Sequence, residues 1–132
     1  MLFGRKPRRT VIVHADDEPD IRLVIQAALA PLGMDVLSAA NGEESLRLVI
    51  KEKPDLLLLD IRMPGMDGFQ VCSALREHPD HKETPIVMLT ALSQVKDIER
   101  GVSLGATGYM IKPIDVAKLR HKVIELLGPP GS

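Results

Sequence analysis

A doubly wound α/β fold with a flavodoxin-like parallel sheet is predicted by three features of this 132-residue sequence. Five short runs rich in Val, Ile and Leu recur along it, and stretches with helical spacing separate them. The runs are apolar on both faces, which suits strands in the middle of a parallel sheet covered by helices on each side. Five such strand and helix units, joined by right-handed crossovers, are best met by the strand order 2-1-3-4-5.

The first strand is "TVIVHA", residues 10 to 15. After it Ile21, Val24, Ile25, Ala28, Leu29 and Leu32 fall at the spacings of one helix face. Pro31 sits in what would be that helix's last turn and cannot donate to it, so the helix should kink or stop near Ala30. "MDVLSA" (34–39) is the second strand, followed by a helix near 43–52. "DLLLLD" (55–60) is the third, and Asp67 before Gly68 reads as the cap of a helix near 68–77. "PIVMLTA" (85–91) precedes a helix near 94–104, and "GYMIK" (108–112) precedes a last helix over 115–127 with Val116, Leu119, Val123 and Leu127 inward. There is no internal repeat or low-complexity block.

Composition fits one soluble domain, at 45% hydrophobic and 27% charged residues. The apolar runs fall well short of the ~20 residues of a membrane helix, and no signal pattern opens the chain, so a cytoplasmic protein is expected. The single cysteine, Cys72, allows no internal disulfide and reads as a small buried thiol. Arg5, Lys6, Arg8 and Arg9 crowd the start, and removing their four charges from the net −1 leaves −5 on residues 10 to 132. Residues 1–9 are therefore expected to be a basic flexible tail, solvated rather than bound to nucleic acid or membrane, and "GPPGS" (128–132) a flexible end.

Ligands of such a sheet bind beyond the carboxyl ends of its strands. Strand one ends in Asp16 and Asp17, strand three in Asp60, strand four in Thr90 and strand five in Lys112. Three carboxylates close together repel unless a cation sits among them. An oxygen-only donor set with room for water favours Mg²⁺ over Ca²⁺, and Lys112 adds a second positive charge. A carboxylate surrounded by a divalent cation, a lysine and a hydroxyl is a place where a phosphoryl group could be attached and neutralised. The leucines before Asp60 would hold it rigidly, and "MPGMDG" would turn the chain away so that it stays approachable. One aspartate ending a strand is ordinarily a turn residue or cap, but four strand ends delivering such groups together are not.

"VIVHADDEPDIR", "LLLLDIRMPGMDGF", "PIVMLTA" and "GATGYMIKP", in this order and spacing, resemble the receiver domain of two-component response regulators over residues 10–127, and among these the single-domain chemotaxis and sporulation types. The resemblance implies that Asp60 is the phosphoacceptor. It also implies that Asp17 binds Mg²⁺ directly, Asp16 largely through water, and Asp60 and the backbone carbonyl of Arg62 complete the protein ligands. Thr90 would bond the phosphoryl oxygen, Lys112 would pair with the phosphoryl group, Pro113 would follow a cis peptide, and Tyr109 would swing inward as Thr90 moves. The domain would be a switch that catalyses its own phosphorylation and slow dephosphorylation rather than an enzyme in the ordinary sense. Its implied partners are a histidine kinase or histidine phosphotransfer protein, and a downstream protein docking on the fourth helix, fifth strand and fifth helix. No direct nucleic-acid or membrane binding and a monomer or weak dimer are expected.

No output segment follows residue 127, which favours a stand-alone domain. The alternatives are the receiver half of a larger regulator and a phosphate-independent docking module. His14 departs from the family pattern, which has an aliphatic residue there, and reads as a packed neutral histidine. Arg62 and Leu92, two residues beyond Asp60 and Thr90, flank the water path to the acyl phosphate, so self-hydrolysis should be slow. His78 and His81 read as loop residues with no third metal ligand. An FMN module is disfavoured because "DDEPD" would repel the phosphate, and a haloacid dehalogenase-like phosphatase wants a second aspartate where Arg62 stands.

Overall fold

The structure, a computed structural model, describes residues 8–94 and 96–129. The expectations for residues 1–7 and 130–132 lie outside the described residues. Strand β1 (Val11–Ala15) leads into helix α1 (Pro19–Leu29), strand β2 (Asp35–Ala39) into α2 (Gly42–Glu52), and β3 (Leu56–Asp60) into α3 (Gly68–Glu77). Strand β4 (Ile86–Ala91) and a 3₁₀ turn (Leu92–Gln94) precede α4 (Lys96–Ser103), and β5 (Gly108–Lys112) precedes α5 (Val116–Leu127). All strand pairs are parallel, in the order β2-β1-β3-β4-β5, as predicted.

The unbroken leucine run of β3 follows from its place at the centre of the sheet. Successive side chains point to opposite faces. Leu57 and Leu59 enter one core with Val13, Val49 of α2, and Phe69, Val71, Cys72 and Leu75 of α3. Leu56 and Leu58 enter the other with Ile12, with Ile25 and Leu29 of α1, and with Leu119 and Val123 of α5. Each fully buried leucine contributes about 2 kcal/mol of transfer free energy, so this strand is pinned from both sides. Its last residue is Asp60.

Pro31 acts as expected: α1 stops at Leu29, a 3₁₀ turn covers Ala30–Leu32, and Gly33 closes it with φ +73°. The predicted inward face of α1 needs one correction. Val24 is 42% exposed, because it lies about 100° around the helix from Ile25, outside the arc that Ile21, Ile25, Ala28 and Leu29 share. The fourth helix is also shorter than predicted: Gln94 belongs to the 3₁₀ turn, and the helix ends at Ser103. Asp67 caps α3 in a reciprocal capping box with Gln70. Asn41 and Asp115 accept the Glu44 and Lys118 N–H groups to start α2 and α5. Among the described residues no helix is long and apolar enough to cross a membrane.

Candidate functional site

Parallel strands end together, so β1, β3 and β5 deliver Asp16, Asp60 and Lys112 to one rim. The Lys112 ammonium donates to Asp16 Oδ2 at 2.8 Å and lies 3.1 Å from Asp60 Oδ1. Asp16 is fully buried and Asp60 only 5% exposed. The other oxygen of Asp16, Oδ1, accepts the Glu18 N–H at 2.9 Å, and its carbonyl accepts from Arg22 at 2.7 Å. Both carboxylate oxygens of Asp16 thus have protein donors. Asp17 and Glu18 are exposed beside it, and one oxygen from each of the three acids lies within 4.8 Å of the others. Glu18 was not among the predicted site residues, although its place directly after the two aspartates was the signal. Among the described residues this is the one cluster of three or more potential metal ligands. His78 and His81 lie in a turn where His81 Nδ1 meets the Thr84 hydroxyl at 2.8 Å and His78 Nδ1 accepts the Asp80 N–H.

The loop after Asp60 is held off the pocket by close packing. Gly68 N–H donates to the Ile61 carbonyl at 2.9 Å, and a Cβ at Gly68 would lie 2.6 Å from the Asp60 carbonyl oxygen. Only glycine lets α3 start so close to the end of β3. Glu43, in the first turn of α2, accepts the Met66 N–H at 3.2 Å and ties the middle of the loop to α2. The Lys112–Pro113 peptide is cis.

Not every predicted residue points inward. Thr90 is buried, but its hydroxyl donates over 3.4 Å and 3.5 Å to the carbonyls of Ala91 and Gln94. Tyr109 is 45% exposed on β5. The Arg62 guanidinium leaves the acidic pocket altogether and binds Asp97 Oδ2 of α4 at 2.6 Å, with Gln94 Oε1 at 3.3 Å. Neither partner was identified from the sequence, since only the fold brings residues 32 and 35 positions away to Arg62. His14 is fully buried with neither ring nitrogen hydrogen-bonded.

Charge is concentrated here at low solvent exposure. Burial, reinforced by the charges of Asp16 and Asp17, pushes the Asp60 carboxyl up to about 6 against the opposing pull of Lys112. Burial works against the Lys112 ammonium too, but its hydrogen bond to Asp16 and the charges of both acids outweigh that and raise it. Burial lowers His14 to about 4, so its ring is neutral at pH 7. The result is an ionised, basic carboxylate at a water-accessible rim, flanked by one fixed ammonium and by more acid than that ammonium can neutralise.

The same arrangement occurs in proteins of known kind. The family model of the response regulator receiver domain matches residues 12–124. The probable transcriptional regulator ycf27 of Porphyridium aerugineum is 43% identical over 116 residues, which are 88% of this chain and 47% of that protein. The chain thus spans about half the length of this curated relative. Among solved structures, the chemotaxis protein CheY4 of Vibrio cholerae superposes with a TM-score of 0.85 at 32% identity, covering 91% of this chain and all of that one. The receiver domain of the Pseudomonas aeruginosa sensor histidine kinase PA1611, which has a magnesium ion coordinated in its active-site cleft, gives 0.84 at 29% identity, covering 92% and 99%. With the sheet order, the acidic rim and the shared lysine agreeing with a family match over nearly the whole length, the chain belongs to the response regulator receiver domains, the signalling switches of two-component systems.

Proposed function

We propose that Asp60 accepts a phosphoryl group from a phosphohistidine of a histidine kinase or histidine phosphotransfer protein, and that the resulting acyl phosphate changes the surface offered to a downstream partner. The observation that carries this reading is the single ammonium of Lys112 shared between two buried carboxylates. An Asp60 oxygen attacks phosphorus in line, the P–N bond breaks, and the imidazole leaves with its electron pair and takes up a proton. Raised to about 6, the Asp60 carboxyl is a more basic nucleophile than a free aspartate yet remains mostly ionised at pH 7 to 8. Lys112 loses nothing by the change, since it can follow the charge from the carboxylate to the phosphoryl oxygens.

The donor set fits Mg²⁺: all oxygen, more negative than Lys112 can balance, and partly open to water. Asp17, Asp60 and the Arg62 carbonyl would hold it directly. Asp16, with both oxygens engaged, would reach it through water. When bound, the ion supplies charge neutralisation for the phosphoryl oxygens. Thr90 and Tyr109 are assigned the coupling roles of hydroxyl contact and aromatic switch. The same reading puts the work of the domain in the cytoplasm, where the free, buried Cys72 is at home.

Incubation with acetyl phosphate or phosphoramidate, with and without Mg²⁺, followed by intact mass measurement, tests the reading. One added phosphoryl group that needs Mg²⁺ and is absent from Asp60→Asn is the expected result. No addition to a folded, Mg²⁺-binding protein would instead favour a phosphate-independent docking module. A second reading, that this chain is the receiver portion of a longer regulator acting on transcription, is favoured over the stand-alone role by a relative of about twice its length named as a transcriptional regulator. Any nucleic-acid contact would then belong to the other portion. The mass of the protein recovered from its native cells decides between the two.

A further inference from the structure

The Arg62 side chain spans the gap between the loop after Asp60 and the start of α4. Its guanidinium binds Asp97 Oδ2 at 2.6 Å and Gln94 Oε1 at 3.3 Å. Asp97 lies in the first turn of α4 and is buried despite its charge. Gln94 also accepts, through its carbonyl, the long hydrogen bond from Thr90. The far end of α4 is fastened differently. Arg100 stacks over the Phe69 ring at 4.1 Å, and Gly101 packs so closely that a Cβ would lie 3.3 Å from Met88. One end of the helix is therefore held by packing, and the other by a charge pair whose cation belongs to the phosphoacceptor loop.

We infer that the Arg62–Asp97 pair is a latch that phosphorylation of Asp60 opens: the guanidinium exchanges the Asp97 carboxylate for phosphoryl oxygens, and the first turn of α4 is released. The inference rests on Asp60 being the phosphoacceptor. Arg62 starts within about 7 Å of Asp60 along the chain, and an arginine side chain covers that distance. A phosphoryl group carries about two negative charges and three acceptor oxygens, and a planar guanidinium binds such a group in two-pronged fashion. Before phosphorylation Arg62 is paired at 2.6 Å with Asp97, a carboxylate that no other cation serves among the described ion pairs, while Lys112 stands directly between Asp16 and Asp60. Afterwards the excess negative charge lies within its reach. Asp97, once abandoned, is a buried carboxylate without its cation, which favours its moving out to water and loosens the turn that carries it.

Residue-resolved hydrogen exchange tests the latch. The informative amides are those of Arg100 and Gly101, whose helical acceptors are the carbonyls of Lys96 and Asp97. The wild type, Asp97→Asn, Arg62→Gln and the double variant are compared with and without acetyl phosphate and Mg²⁺, and intact mass reports phosphoryl occupancy in each. In unphosphorylated protein, each single variant should speed exchange of these two amides about tenfold, the equivalent of one charge-assisted hydrogen bond, and the double variant no further. Phosphorylation of the wild type should produce the same increase, and should add little in either single variant. Arg62→Gln keeps the Asp97 charge, so agreement between the two single variants excludes a simple helix-dipole effect of removing it. Full occupancy in the wild type with unchanged exchange overturns the latch, and so does a full response in Asp97→Asn. Absence of any phosphoryl gain in the wild type overturns the phosphoacceptor reading and the latch with it, and the mass spectrum shows which has failed.

Discussion

At the amino ends of the strands Arg8 binds Asp55 at 2.6 Å and 3.0 Å, and Arg9 binds Asp35 at 3.0 Å. At the carboxyl ends Lys112 lies 2.8 Å from Asp16 and 3.1 Å from Asp60. The groups and distances are alike, but the surroundings differ. The Arg8 side chain is 67% exposed and the Arg9 side chain 58%, and each has an acid of its own. At the other end two buried acids share one cation. The same pair of charges about 4 Å apart interacts by about 1 kcal/mol in water and about 4 kcal/mol at the effective dielectric of a protein site. Burial and an uneven count, rather than the residue types, separate a surface fastening from an unbalanced charge cluster.

Removing the shared cation should therefore have the greatest effect. Lys112→Met leaves Asp16 and Asp60 buried without compensation and should destabilise the domain by about 3 kcal/mol at pH 8 in EDTA, a fall of about 10 °C in melting temperature. Protonation of Asp60 keeps the loss from being larger. Because a divalent cation between the acids replaces the missing charge, Mg²⁺ should raise the melting temperature of this variant more than that of the wild type. A variant that melts with the wild type in EDTA would remove the distinction between the two ends.

Two buried groups make the carboxyl end sensitive to pH in opposite senses. His14 is neutral in the fold with its pKa lowered from 6.5 to about 4, so between these values the unfolded chain binds the extra proton. Stability is lost as pH falls through that window, about 3 kcal/mol in all. Asp60 is raised from 3.8 to about 6, so there the folded state binds the extra proton and stability is gained as pH falls from 6 toward 4. In EDTA the two slopes nearly cancel between pH 6 and 4. His14→Val should therefore gain in stability relative to the wild type as pH falls across that range, while Asp60→Asn should lose. Denaturant midpoints at pH 7, 6, 5 and 4 measure both, and parallel curves for all three proteins would show that neither group is buried in solution as it is here.

Much of this centre could be read from the sequence because a parallel sheet turns strand order into spatial order. Apolar runs on both faces identify strands, strands that run in the same direction end together, and whatever follows each run arrives at one rim. Asp16, Asp17, Asp60 and Lys112 were found in that way. Pairings that depend on where a long side chain turns could not be found so. Arg62 reads from the sequence as a metal ligand through its carbonyl and as bulk beside the water path, and neither reading names Asp97, to which its guanidinium crosses. Val24 fits the helical spacing and is still exposed, because spacing defines an arc and the breadth of the sheet beneath it decides how much is covered. The Arg8 and Arg9 pairs were equally hidden: a run of cations at a terminus carries no periodicity that names a partner.

A smaller effect follows from the excess of acid. At pH 8 in EDTA, Asp60→Asn removes a carboxylate that folding holds above its ordinary pKa, so the variant should be more stable than the wild type by about 1 to 2 kcal/mol. Asp17 and Glu18 at the rim are exposed, and the water around them keeps the gain below the full shift. Added Mg²⁺ should narrow the difference, because the ion stabilises the protein that has the full donor set. A variant less stable than the wild type in EDTA would show that Lys112 already balances both acids.

The amino end should respond least. Arg8→Ala removes an exposed pair, and Asp55 keeps the Val11 N–H that it accepts at 2.9 Å. Water solvates what is left of the carboxylate, so the cost should be about 0.5 kcal/mol, and 1 M salt should abolish it by screening. Lys112→Met should keep most of its cost in the same salt, because screening reaches a buried cluster poorly. Melting curves of both variants at low and high salt place the two ends on one scale. If salt erases both effects alike, the pocket is wetter than its burial indicates, and the Asp60 carboxyl should then lie closer to the ordinary carboxylate range than burial would put it.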